Sequence, residues 1–315
     1  MSQQFQHPIA LIVYRRPESV AKLMACLGRV KPTKLYVIAD VPRDPKWQAE
    51  CDETFAIATN PSWNCELFVD RAKENLGCRR RISSGVDWVF SQEETVVVLE
   101  DDLEPADSFF PFCAELLERY RDDKRIMHIG GNNHQQGIAR TPDSYYFSKH
   151  THCWGWASWR RAWQHFDHEL TNWPTFRDGG FMERVCPDPL EREYFAGKLD
   201  GVLNGDIDSW AYIWTYSCWR QNGLGIIPAV NLVANHGFDD SATHTKGSHA
   251  LQELRAEELS FPLQHPTGFA PNEAADHYAF YHHFEGNAIR AARSPMGKIR
   301  QWRNGALRRM KALTR

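Results

Sequence analysis

The chain has 315 residues, 42% apolar and 24% charged, with a formal net charge of −3, a balance typical of a globular protein with a core large enough to need no disulfide staples. Nine of the 37 Lys and Arg lie from Arg290 onward, where there is no Asp or Glu, so the preceding residues carry 28 basic against 40 acidic groups, a balance of −12. An acidic body with a basic tail argues against nucleic acid as a partner.

The start, MSQQFQHP, lacks the charged and apolar regions of a secretion signal, and the apolar runs reach only strand length. Eight cysteines are scattered without a CxxC pair; they read as reduced, mostly core thiols of a cytoplasmic protein rather than a zinc or redox motif.

In chain order, Ile9 to Tyr14 reads as a strand and Glu18 to Leu27 as a helix. Leu35 to Asp40 is a second strand, followed by a helix over Ala49 to Ala58. Glu66 to Asp70, Val96 to Glu100 and Ile126 to Ile129 are further strands, with helices at Ile82 to Ser91 and Ser108 to Tyr120. Alternation at this spacing predicts βαβ units and an α/β fold with a mainly parallel sheet flanked by helices. The second half is less regular and aromatic-rich, with eight of the twelve tryptophans between Trp154 and Trp219. It reads as an acceptor-binding half embedded in one domain, residues 1–285, and residues 286–315 read as a separate basic helix.

The most informative segment is VVVLEDDLEP, Val96 to Pro105. A buried-strand run ends in three consecutive carboxylates, Glu100, Asp101 and Asp102. Ligands of open α/β sheets bind just past the strand ends. Acids crowded there call for a cation, and hard oxygen ligands suit Mn²⁺ or Mg²⁺ carrying a substrate diphosphate. Helix capping is the plainer role for such acids, but Asp107 and Ser108 already serve it.

VVVLEDDLEPADSFF resembles the metal-binding segment of the inverting N-acetylglucosaminyltransferase I family, glycosyltransferases of the GT-A fold. The tryptophan-rich WGWASWRRAW is similar to a segment of related bacterial GT-A proteins. The resemblance covers about residues 7 to 245 and implies a GT-A, Rossmann-like catalytic domain. It assigns Asp102 to the metal and Asp101 to the ribose, with Glu100 positioning both from the strand end. Arg15 and Arg16 follow the first strand, where guanidinium groups can clamp a diphosphate; the family places an arginine here, and Arg16 aligns better. Asp40 matches the acid that hydrogen-bonds the uracil. ENLGCRRRI resembles the loop before the donor-site helix, which implicates Asn75 and Gly77, with Arg79, Arg80 or Arg81 facing phosphate.

The resemblance also implies a catalytic base in NGDIDSW: Asp208, with Asp206 as competitor. A helix cap is the alternative role for Asp208. Many GT-A enzymes supply a late histidine to the metal, and His244 fits that pattern, with His236 as alternative. In HCWGWASWRRAW, Trp154 and Trp156 flank Gly155 and are the candidates for stacking on sugar rings. From Ile299, Trp302, Ala306, Leu307, Met310 and Leu313 recur at helical spacing opposite a basic face, the pattern of an interfacial helix on anionic lipid. That would place a cytoplasmic enzyme peripherally on the inner face of a membrane.

The expected activity is metal-dependent, inverting transfer of a sugar, N-acetylglucosamine among the candidates, from a UDP-sugar to a glycan or lipid-linked acceptor. Two alternatives stay open: a nucleotidyltransferase acting on sugar phosphates and a non-catalytic carbohydrate-binding module. The first normally shows a Gly-rich loop after the first strand, where this chain has YRRPES.

Overall fold

Every residue of β1 (Ile9–Val13) is buried, with Ile9, Leu11 and Val13 in one core and Ala10 and Ile12 in the other. Side chains alternate across a strand, so an apolar run with no polar face belongs in a sheet covered on both sides. β2 (Lys34–Ala39) and β4 (Thr95–Glu100) repeat the pattern and flank β1 in parallel. These coordinates are a computed structural model that describes residues 4–237 and 254–296.

The sheet has eight strands. With β3 (Glu66–Arg71), β6 (Ile126–Gly130), β7 (Tyr145–Ser148), β8 (Trp156–Trp159) and β9 (Leu224–Pro228), its order is β3-β2-β1-β4-β8-β6-β9-β7. Six strands run one way; β8 and β7 run against them. A separate two-stranded ribbon pairs β5 (Leu103–Pro105) with β10 (Val233–Asn235) just beyond the end of β4.

One face is covered by α1 (Pro17–Val30), α2 (Gln48–Ala58) and α4 (Phe109–Arg119). α1 opens with Pro17 in its first turn, where no N–H is needed. The other face carries α3 (Gly77–Gln92), α5 (Arg160–Trp163), α6 (Trp173–Asp178), α7 (Phe181–Val185), α8 (Pro189–Leu203) and α9 (Ala211–Arg220). Two further helices follow, α10 (Glu273–His282) and α11 (Gly286–Arg293).

The expected fold class is the one observed: α/β, with a mainly parallel central sheet flanked by helices. Two expectations change. The aromatic WASW segment, for which no strand was expected, forms β8 and wedges between β4 and β6. α3 begins at Gly77 rather than Ile82, because its polar first turn is held by carboxylates from distant segments. All eight cysteines are free thiols, and five are buried. Among the described residues no helix is long and apolar enough to cross a membrane. Residues 297–315, with most of the expected basic helix, lie outside the described residues.

Candidate functional site

The strand order puts a topological switch between β1 and β4. The chain lays β2 and β3 on one side of β1, then returns to place β4 on the other. Crossovers diverge there and open a crevice past the carboxyl ends of the strands. The register sets Val13 beside Ala39 and Ile12 beside Glu100. Arg15, Arg16, Asp40 and the acidic triplet therefore share one rim.

The triplet divides. Asp101 is 4% exposed; its Oδ1 accepts from Arg16 Nη1 at 2.7 Å and its Oδ2 from the Tyr14 backbone N–H at 2.8 Å. Each Asp101 oxygen thus accepts one bond that clamps β1 to β4, and the ribose contact stays an expectation of the resemblance. Glu100 and Asp102 remain. Burial, then the charges of Asp102 and Asp101, push Glu100 up to about 8. Burial, then Asp101, push Asp102 up to about 6, while Arg16, with Nη1 3.3 Å from Asp102 Oδ2, pulls both down. With all three ionised, one guanidinium against three carboxylates would leave two negative charges, which a divalent cation would balance and so hold Glu100 deprotonated. No protein hydrogen bond to the Glu100 carboxylate is found among the described residues, and 17% of the Asp102 side chain is exposed. The donor set, two crowded carboxylates at an open rim, fits Mn²⁺ or Mg²⁺.

The ribbon closes over this pair. The His236 backbone N–H donates to the Asp102 carbonyl at 2.8 Å, and Gly237 lies so near that a Cβ would collide with Asp102 Oδ2. The His236 ring meets Glu104 Oε2 at 2.6 Å and is more than half exposed, and it is near enough to Asp102 to pull that carboxyl down. His244 lies outside the described residues.

Asp40 is 7% exposed and accepts from the N–H groups of Val41, Leu76 and Gly77 and from Asn75 Nδ2, which also reaches the Val41 carbonyl at 2.7 Å. Asp40 and Asn75 thus fix the turn into α3, and the expected uracil contact by the Asp40 carboxylate is corrected, since its lone pairs are taken. Gly77 sits at φ +75°, where a side chain is strained, and a Cβ would lie 2.7 Å from Asp208 Oδ2.

Asp208 does cap a helix, though not its own. Its Oδ2 accepts from Cys78 N at 2.9 Å and its Oδ1 from Arg79 N at 3.0 Å, which fixes an exposed carboxylate on the N-terminus of α3. Burial pushes the Cys78 thiol well up, and the charges of Glu100, Asp208 and Asp102 all add to that push, so both acidic groups act on this one side chain. Asp206 is exposed in the preceding loop.

The arginines separate too. Arg16 faces the acids, whereas Arg15 stacks 4.2 Å from the Trp47 ring and lies 3.9 Å from Glu50. Arg81 is 4% exposed and bonds the Asp70 carbonyl and carboxylate at 2.8 and 2.7 Å. It ties α3 to β3, and the expected phosphate role is corrected. Arg79 reaches the Val202 carbonyl and Arg80 is exposed.

Trp156 is likewise corrected. At 0% exposure on β8 it stacks among Trp163, Trp210 and His128 and offers no face to a sugar. Trp154, on the approach to β8, is only partly buried and packs edge-on against His134 and His283.

The sequence reading missed that histidine group. His134, His152 and His283 bring a nitrogen each to within 4.8 Å of one another. Burial holds His134 and His152 well below the usual imidazole range and His283 down to about 3, so all three rings are neutral at neutral pH. Short His-rich stretches, HTHCW and YHHF, were the available signal. A cavity of about 410 Å³ lies elsewhere, lined by Lys149, Glu191, Trp219, Asp276 and Phe280, and includes no member of the triplet.

No family model matches the chain, and no curated protein is similar to it. Among solved structures, it is similar to the mannosyltransferase PcManGT from Pyrobaculum calidifontis in complex with GDP-Man and Mn²⁺, with 13% identity over 67% of this chain and 69% of that one, at a TM-score of 0.39. HddC from Yersinia pseudotuberculosis, complexed with GMP-PN, gives 11% identity over 49% and 77%, at 0.31. A mannose-1-phosphate geranyltransferase from Thermus thermophilus gives 9% over 71% and 74%, at 0.34. These overlaps are distant and partial, and the chemistry of the site rests on its own residues.

Proposed function

We propose that the protein is a metal-dependent glycosyltransferase that moves a sugar from a nucleoside-diphosphate sugar, UDP-linked by the sequence resemblance, to a hydroxyl of a glycan or lipid-linked acceptor. One observation carries the reading. At the β1/β4 switch, Glu100 and Asp102 crowd one rim beside the Arg16 guanidinium, and the Asp208 carboxylate, held on the Cys78 backbone N–H, acts on the same Cys78 thiol as they do.

Glu100 and Asp102 would hold the cation, which when bound supplies positive charge to the donor diphosphate. Arg16, anchored on Asp101, adds a fixed positive charge at the same rim. Asp208 accepts the proton of the acceptor hydroxyl as its oxygen bonds to the anomeric carbon. The bond from that carbon to the diphosphate breaks, and the nucleoside diphosphate leaves with the electron pair. The two backbone N–H groups of α3 fix the Asp208 carboxylate in one orientation, so its basic oxygens are positioned before substrate arrives. Trp154, only partly buried, is the residue expected to meet a sugar ring.

The test is a screen of UDP- and GDP-sugars for release of the free nucleoside diphosphate, with Mn²⁺ and with a chelator. Release of UDP that requires Mn²⁺ is expected. Release that a chelator leaves unchanged would remove the metal from the reading.

A further inference from the structure

We propose that His134, His152 and His283 form a second metal site, independent of the carboxylate pair, that takes a borderline transition ion of the Zn²⁺ class and leaves its fourth position to water or a ligand. The rings come from three parts of the chain: the loop after β6, the approach to β8, and the residue that ends α10. Each offers a nitrogen within 4.8 Å of the other two. Three nitrogens at Zn–N distances of about 2.0–2.1 Å in a tetrahedron stand about 3.3 Å apart, so closure asks for shifts of about 1.5 Å or less. The His134 and His283 rings stack at 3.5 Å with 13° between planes and His152 stands nearly perpendicular to both; an imidazole binds in its own plane, so closure also turns one ring of the stacked pair.

A second observation points to a missing ligand. Nδ1 of His134 and Nδ1 of His283 are buried with no hydrogen-bond partner, and buried ring nitrogens in native proteins are normally satisfied. The choice of ion follows from the donors. Imidazoles without a carboxylate or thiolate among them suit Zn²⁺, Cu²⁺ or Ni²⁺, whereas Mg²⁺ and Mn²⁺ prefer the oxygens of Glu100 and Asp102. His283 is only partly buried, whereas His134 and His152 are buried, so it is the ring nearest the surface.

Asn132 sets the threshold for loading. Its Oδ1 accepts from the Trp154 backbone N–H at 3.1 Å, so its Nδ2 is the group turned to His134 Nε2, 2.7 Å away. That contact occupies the Nε2 lone pair and keeps the His134 proton on Nδ1. Ligation through Nε2 must displace Asn132, and ligation through Nδ1 must move the proton to Nε2, against the Asn132 amide. In either case Asn132→Ala favours the ion.

Co²⁺, a spectroscopic stand-in for Zn²⁺, tests this on the untagged, chelator-stripped full chain. The wild type and Asp102→Asn are both expected to show the intense visible absorption of a tetrahedral Co²⁺ site, displaced by Zn²⁺. His283→Gln, at the surface side, is expected to weaken binding at least tenfold with an unchanged circular dichroism spectrum, and Asn132→Ala to tighten it. Loss of the absorption in Asp102→Asn, its persistence in His283→Gln, or no such absorption in the wild type would overturn the proposal. The proposed transferase site does not enter this outcome, because it is the Asp102 variant that must keep the signal.

Discussion

The acidic rim and the imidazole cluster are both crowds of like side chains, and they resolve the crowding in opposite ways. Glu100 and Asp102 stay at an accessible edge, pushed up by burial and by one another, with Arg16 as partial counter-charge. The three histidines are held neutral by burial. A carboxylate cluster needs a cation to relieve charge; an imidazole cluster is already uncharged and only lacks partners for its nitrogens. The first favours a hard ion that exchanges with substrate, the second a softer ion bound for longer.

Substitutions can break this contrast, starting with the largest effect. Asp102→Asn removes half of the carboxylate pair, and Mn²⁺-dependent nucleotide-sugar turnover should fall by about a thousandfold or more, the several kcal/mol that a catalytic metal contributes. The thermal unfolding profile should be unchanged or improved, since a crowded charge is gone. Trp156→Ala should do the reverse. It removes a 0% exposed ring from the stack with Trp163 and Trp210 and should cost about 3–5 kcal/mol in chemical denaturation. The nucleotide affinity of the protein that remains folded should not change; a weakened affinity would return Trp156 to the substrate.

Asp208→Asn is more selective. Donor binding should persist while turnover drops by about 10²–10⁴. Donor binding lost in proportion would make Asp208 only a clamp on α3. Gly77→Ala is the mildest. Its φ of +75° costs an L-residue roughly 1–2 kcal/mol, and its Cβ would push Asp208 Oδ2 aside. Turnover should fall about tenfold with donor KM unchanged, and full activity would separate Asp208 from the chemistry.

The first half of the fold was legible in the sequence because its central strands β1, β2 and β4 are buried on both faces. Runs such as IALIV and TVVVLE have no other reading at that length. The triplet's place at a strand end followed, whereas the strand order, and with it the switch between β1 and β4, came only from the structure. What could not be read was orientation. Asp101, Asp40 and Arg81 carry the residue types of a donor site, but each faces inward and completes a hydrogen-bonded clamp. The WASW run misled in another way, since its tryptophans alternate between two cores: Trp156 joins one, and Trp159, bonded to the Leu117 carbonyl, joins the other. The histidine cluster was illegible because His134, His152 and His283 lie far apart in sequence and meet only through β8 and α10.

The most direct test of the central claim is calorimetry of UDP and GDP binding to the wild type and to Glu100→Gln/Asp102→Asn, with and without Mn²⁺. The account predicts that Mn²⁺ tightens one nucleoside diphosphate at least tenfold on the wild type and has no effect on the double variant. Equal affinity with and without the ion for both nucleotides on the wild type would contradict it.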